Sequence, residues 1–541
     1  MNVSGLLASF EALGPYRTLR AELEGGEALP PLGLLRAARP ALLAALARDL
    51  KRPMLVIVGS VERAKALSAS MRDWSPALDC LWHFPEPLAL FYERVPWTDE
   101  VIAGRLRVLS ALYARRASPS GQAEIVIAST RALMQRTLPL RQFRASVREF
   151  RTGQTLDLER ALGRWAGLGY VPVSVVEAPG QFSHRGGILD IFPPADPLPV
   201  RIELFGSQVE SLRRFDPATQ RSQERVESVT TTPAREALPR HGPRIADWIA
   251  ARLDRASETM HGLPADVRAE LETHYQGLAA ATPFAGLEFY LPYFYTESAT
   301  LLDYLPPEAL LVVDDPQELE DVWAGLEEGA VDLRSAAEEA ETLPPDYPLP
   351  YVTWGEWSER LTDRPVLALG YGDEGTSSRL ADCFVPGPHL GGQLKPVLQH
   401  IHAAQTGGGQ VVVVTQQAQR LVELWGGEYG DYGVVPLEEL SQLPQAALTF
   451  VQGPLAEGWV LRGVDLGQPF ASLHLLTDAE IFGWRRPEPR RSVHRRKVAP
   501  ESYLSDLTQG DFVVHVEYGI GIFRGLVTRA IEGVEREYLL V

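Results

Sequence analysis

Three short apolar runs constrain this chain more than any other feature. They are "MLVIV" (Met54–Val58), "EIVIAS" (Glu124–Ser129) and the "LLVV" near the end of "LLDYLPPEALLVVDD" (Leu301–Asp315). Each is far too short to cross a membrane, and each reads as a buried strand. Helical spacing follows the first two, as "VERAKALSASM" and "TRALMQR". Strand and helix alternating in this way mark a parallel α/β sheet. Upstream, Pro40 stands where a first helical turn tolerates proline, and Leu42, Leu43, Leu46 and Leu50 then recur at helical spacing.

The 541 residues allow about three to five domains, each with its own core. From about Ser146 to Pro239 the pattern turns to short strands broken by turns, above all in "GQFSHRGGILDIFPPADPLPVRIELFGSQVESLRRFDPATQRS" (Gly180 to Ser222). This predicts an inserted, strand-rich α/β domain at 146–240, flanked by the two parts of one α/β domain at 1–145 and 241–344. A second, smaller α/β domain at 345–478 takes the strands "VLALG", "VVVVT" and "LHLLT". A basic linker at 479–507 precedes 508–541, whose Val/Ile/Phe alternation and glycine turns signal an antiparallel β-barrel. The sequence stops in mid-strand there, so the barrel is expected to be incomplete and the chain truncated.

Hydrophobic content of 45% with 23% charged residues is that of a soluble globular protein. Neither a membrane span nor a secretory signal is visible, so a cytoplasmic protein without a membrane partner is expected. Two cysteines, Cys80 and Cys383, exclude a zinc ribbon and read as small buried side chains. A net charge of −18 opposes wrapping of the whole surface around a polyanion, so any DNA contact must be local. The one basic cluster holds Arg485, Arg486, Arg490, Arg491, Arg495, Arg496 and Lys497 against a single Glu488. It is either a solvated linker or a strand that crosses phosphates or an acidic protein surface.

Signals for chemistry fail one after another. After "MLVIV" a phosphate loop would need a second glycine and a Gly-Lys pair, but the residues run Gly59-Ser60-Val61-Glu62-Arg63-Ala64-Lys65. Glu62 near a helix N-terminus would repel phosphate. Asp314 and Asp315 sit where a motor protein holds magnesium, yet without a phosphate loop such a metal has nothing to bridge, and helix capping is the simpler role. Gly370, Gly372 and Gly375 formally match G-x-G-x-x-G, but Asp373 and Glu374 would stand inside the pyrophosphate site. Gly407 to Gly409 precede their strand and read as a turn. The 11 histidines show no metal-ligand spacing, and no nucleophile elbow appears. No catalytic residue and no metal site is expected.

From Phe182 to Pro217, through "RGGILDIFP", "RIELFG" and "ESLRRFDP", the sequence resembles a signature shared by the excision-repair protein UvrB and the transcription-repair coupling factors. "STRALMQRTLP" and "GLEFYLPYFY" resemble the coupling factors, "DYLPPEALLVVDD" the UvrB strand with its acidic motif, and "GDFVVHVEYGIGIFRGL" the coupling-factor domain that binds RNA polymerase, a Tudor-like barrel shared with CarD-type regulators. The resemblance covers nearly the whole chain and is weakest from Pro345 to about Ala471. It implies a degenerate helicase-like α/β domain that has lost its ATPase motifs. It also implies a docking module for UvrA, with Arg185, Phe182 and Gly186 as contact candidates, and a polymerase contact to the β subunit somewhere within Leu526 to Val541.

ATP, magnesium and double-stranded DNA would enter only through a C-terminal motor outside this chain. The motor end is expected to mask the docking surface in the intact protein, so that this chain binds UvrA constitutively. Arginine suits docking, since its planar fork pairs bidentately with carboxylates. The alternative for Arg185 is an internal pair with Asp190 or Glu203, and Phe182 is either contact or core. Ser183 and Val171 stand where relatives carry basic residues, which leaves fewer charges for docking. A competing function, a UvrB-like ATP-dependent enzyme on damaged DNA, needs an aromatic hairpin, for which "FPEPLALFYERVPWTDE" is short and acidic. A CarD-like regulator would account only for the last residues.

Overall fold

The computed structural model describes residues 1–27, 29–75, 80–117, 124–247, 249–250, 265–295, 297, 299–340, 342–343, 347–361, 364–371, 378–463, 471–483, 512–515, 519–531 and 534–540. The chain forms two units, Met1–Glu488 and Pro489–Val541. Gly372, Asp373, Glu374, Gly375 and the basic cluster Arg485, Arg486, Arg490, Arg491, Arg495, Arg496 and Lys497 lie outside the described residues.

At the centre of the first unit is a parallel five-stranded sheet in the spatial order Val366–Ala368, Leu310–Val313, Met54–Val58, Ile125–Ser129, Leu81–Phe84. Its central strand is buried at all five positions, because both faces are covered. Alternate residues feed two different cores. Leu55, Ile57, Val126, Ala128, Leu311 and Val313 point into one, while Met54, Val56, Val58, Ile125, Ile127, Leu310 and Val312 point into the other.

One expectation needs correction here. Val366–Ala368, assigned from sequence to the second small domain, pairs in register with Leu311–Val313 and forms the edge of the first sheet. The N-terminal fifty residues pack against two sheets. Helices Ala8–Ala12, Gly14–Gly25 and Arg39–Leu50 share one core with the first sheet and with Trp459, Leu461, Leu473 and Leu475 of a second sheet. Trp74 stacks on Trp459 at 6.0 Å across this junction. Helix Arg39–Leu50 is therefore buried around nearly its whole circumference, from Arg39 to Ala47.

The second sheet is mixed, with the order Phe384–Pro386, Trp459–Arg462, Ser472–Thr477, Gly409–Thr415, Leu448–Gln452. The last three strands are parallel, and Trp459–Arg462 runs antiparallel to its neighbours. Helices Leu394–Thr406 and Ala418–Tyr429 cover one face through Val397, Ile401, Leu421 and Trp425.

Between the third and fourth strands of the first sheet in chain order, Ile125–Ser129 and Leu310–Val313, the chain leaves through Arg148–Arg151 and returns through Ser228–Thr231. These two strands pair antiparallel as a neck, Arg148 opposite Thr231 and Arg151 opposite Ser228. Beyond the neck stand helix Leu158–Gly167 and a six-stranded sheet. The returning chain is fastened by a buried Glu236, which accepts two hydrogen bonds from Arg105, at 2.5 and 3.1 Å, and one from the Thr137 hydroxyl.

The second unit contains two antiparallel hairpins, Phe512–His515 with Gly519–Ile522 and Gly525–Ile531 with Val534–Leu540. No ladder joins the two hairpins and no closed barrel forms among the described residues. The candidate polymerase-binding stretch from Leu526 onward falls on the second hairpin.

Candidate functional site: a docking face and a filled strand edge

Two places on the first unit carry the residues singled out by sequence. The first is the C-terminal edge of the parallel sheet, where nucleotides bind in related architectures. Ser60 caps helix Val61–Trp74, its hydroxyl oxygen accepting from the Arg63 amide at 3.2 Å. Gly59 lies against Glu318: a Cβ placed on it would come within 2.4 Å of the Glu318 carboxylate. Asp314 is buried, and Arg63 grips it with both ends of its fork, Nε at 2.7 Å and Nη2 at 3.1 Å. Arg39 adds Nη1 at 3.1 Å to the carboxylate and 2.8 Å to the Asp314 carbonyl oxygen. Burial by itself would raise the Asp314 carboxyl, but the Arg63 and Arg39 guanidiniums outweigh it and hold the group below the usual carboxylate range. Asp315 caps helix Pro316–Glu339, accepting from the Glu318 amide at 3.3 Å. Just past the strand Leu81–Phe84, Glu86 takes Arg131 at 2.8 Å and the Ser129 hydroxyl.

This edge is a closed set of ion pairs. Both guanidiniums nearest the acid pair are committed to it, and carboxylates stand where phosphates would have to lie. The segment Pro85–Thr98, which a UvrB-like enzyme would need as a DNA-gripping hairpin, contains no strand beyond Phe84. Its Phe91 and Tyr92 are buried against Tyr351 and Tyr347.

The second place is the six-stranded sheet beyond the neck, in the order Ser222–Val226, Gln208–Phe215, Val200–Phe205, Ile188–Ile191, Gln181–Arg185, Val171–Pro172. Its inner face, with Phe182, Leu189, Ile191, Val200, Ile202 and Leu212, packs toward Ala161 and Trp165 of helix Leu158–Gly167. Phe182 is 6% exposed and meets Trp165 edge to face at 5.6 Å, so of its two open roles it takes that of core. It forms the floor of a shallow hollow shared with Leu162, Ala166, Pro172 and Val173.

The outer face is read from strand register. Ser183, Asp190, Arg201 and Arg213 stand opposite one another in one row, and Arg185, Ile188, Glu203 and Ser211 in the next. In the first row Arg201 holds Asp190 bidentately at 2.8 and 2.9 Å and lies over the Phe215 ring. In the second row Glu203 accepts from the Ser211 hydroxyl and faces Arg213 at 3.8 Å. The internal pair considered for Arg185 therefore does not form, since both carboxylates are engaged by other residues. Arg185 is exposed, donates to the Ser174 carbonyl oxygen, and makes no ion pair among the described residues.

The local sequence explains its position. Gly186 adopts a left-handed φ of 58°, and Gly187 is packed so closely that a Cβ would sit 2.9 Å from the Leu204 carbonyl oxygen. Two glycines are what a two-residue hairpin turn at this corner requires. Gly186 serves as turn backbone, with its carbonyl oxygen 2.8 Å from His184 Nε2. The residues that sequence reasoning missed are Ile188, 40% exposed, and Phe205, 79% exposed. The available signal for the latter was a large apolar residue directly before a turn glycine, in "LFGS".

Residues 149–236, which contain this sheet, match the family described as the UvrB interaction domain, and residues 507–541 match the CarD-like/TRCF RID domain. The chain is 28% identical to the transcription-repair-coupling factor of Bacillus subtilis (strain 168) over 94% of its own length and 43% of that protein. It is 29% identical to the factor of Myxococcus xanthus over 97% of its length and 45% of the relative. With the Haemophilus influenzae factor the figures are 26%, 90% and 41%. The chain thus spans less than half the length of these relatives. Along nearly all of its own length it is a relative of the transcription-repair-coupling factors and corresponds to their N-terminal part.

Proposed function

We propose that this chain is a non-catalytic docking platform that recruits UvrA to RNA polymerase stalled at DNA lesions. The observation that carries the reading is Arg185: an exposed guanidinium at a two-glycine corner, without a carboxylate partner among the described residues, on the outer face of a sheet that matches an interaction domain. An exposed arginine held in place by the fold, here through the Ser174 carbonyl oxygen, is a ready anchor for a partner carboxylate. The 507–541 segment contributes to a polymerase contact with the β subunit as part of a Tudor-like barrel. Translocation on double-stranded DNA, with its ATP and magnesium, belongs to a motor elsewhere in the intact protein, and the chain works in the cytoplasm. No helix among the described residues is long and apolar enough to cross a membrane.

The filled edge of the parallel sheet supports the non-catalytic part of this reading over a UvrB-like ATPase. Arg63 and Arg39 neutralise Asp314 internally, and Glu318 covers Gly59. The experiment has two arms on the same chain. Mixed with purified UvrA, it co-migrates on size exclusion, and separate peaks contradict the platform. Addition of Mg-ATP leaves its melting temperature unchanged, whereas a rise of several degrees restores the ATPase reading.

A further inference from the structure

We infer that docking on this sheet is anchored by an apolar tip, Phe205 with Ile188, beside Arg185, so that the partner must offer an apolar recess flanked by carboxylate. The inference rests on the docking reading and names the chemistry of that same face. Ile188 stands directly opposite Arg185 on one side and Glu203 on the other. Phe205 lies two residues beyond Glu203 on the same strand, and therefore on the same face. The strand keeps its alternation there, because the irregularity between Glu203 and Leu204 places the extra residue, Glu210, on the Gln208–Phe215 strand. The Leu204 amide donates to the Gly187 carbonyl oxygen at 2.7 Å, which fixes the Gly186-Gly187 and Gly206-Ser207 turns side by side. Arg185, Ile188 and Phe205 are thus gathered at one end of one face.

The contrast with the rest of that face is what singles out a binding end. Deeper in the sheet, Asp190 is held by Arg201, and Glu203 accepts from Ser211 and faces Arg213. At the turn end Arg185, with no ion pair among the described residues, and Phe205, whose ring is 79% exposed, stand on the two strands that flank Ile188–Ile191. A phenylalanine at a hairpin corner gains nothing for the fold while it faces water, and its burial by a partner brings the apolar contribution that a lone arginine lacks. Aromatic and arginine side chains are both enriched at interface hot spots.

The test is a titration of purified UvrA with the wild-type chain, Phe205→Ser and Phe205→Leu, with thermal melts showing all three folded. Affinity should fall about tenfold or more in Phe205→Ser and stay within about threefold in Phe205→Leu. Raising salt from about 0.1 to 0.5 M should shrink the effect of Arg185→Ala while leaving that of Phe205→Ser in place. Equal binding of wild type and Phe205→Ser overturns the apolar anchor and leaves docking at Arg185 standing. Absence of binding by the wild type overturns the docking reading and the anchor together.

Discussion

Arg185 and Asp314 show how differently two residues at turns can be used. Arg185 was legible as a functional candidate because a run of glycines and strand residues placed it at a corner. The sequence left open whether Asp190 or Glu203 would absorb it, and only strand register shows both acids engaged elsewhere. Phe205 was illegible, since exposure of an apolar side chain reflects what fails to pack against it, and a single sequence does not encode that absence. Asp314 was read as an acid at a strand end, but its two arginine partners come from positions 251 and 275 residues away. Removing that charge strands Arg39, whose side chain is 5% exposed, and Arg63, at 13%. Asp314→Asn should therefore cost about 3–5 kcal/mol. It should appear as a clear drop in the urea midpoint of the first unit, and an unchanged midpoint would show that the arginines find water instead.

At the scale of elements, the buried strands and the helices after them were visible from apolar runs and spacing. Short edge strands were not. Val366–Ala368 has only three residues in the ladder, and nothing in "VLALG" distinguishes one parallel sheet from another. The packing of helix Leu394–Thr406 on the second sheet also buries titratable groups that no motif announced. His400 and His474 face each other with ring centroids 5.6 Å apart, and His400 Nε2 and His474 Nδ1 have no hydrogen-bond partner among the described residues. Burial first, then the neighbouring His400 and Arg462, bring His474 down to about 4. In the unfolded chain a histidine titrates near ~6.5. The folded state therefore binds fewer protons, so the stability this neutral pair contributes is complete above that value and lost as pH falls toward the folded one. Between about pH 7.5 and 5.5, His474→Phe should lose less melting temperature than the wild type. Parallel losses in the two would show that His474 does not report on the stability of this layer.

On the scale of the whole molecule, the first unit is less modular than its sequence looks. Its N-terminal helices bury themselves against two sheets at once, and the cue was present in "LLRAARPALLAALARDL", which is apolar on every side of a helix rather than along one stripe. The strand-rich module leaves and returns through a paired neck and is fastened by Glu236, while its inner face shares one core with the parallel sheet. In the proposed reading the outer face of this sheet is the docking face, and the end of the parallel sheet near Asp314 is occupied by internal ion pairs. The measurement that tests this most directly is a calorimetric titration of purified UvrA with the whole chain, beside the same chain carrying Arg185→Ala. Docking through this face predicts wild-type binding that weakens by roughly 2 kcal/mol or more in the folded variant. Equal affinities would place docking elsewhere on the molecule, and no binding by either would contradict the platform itself.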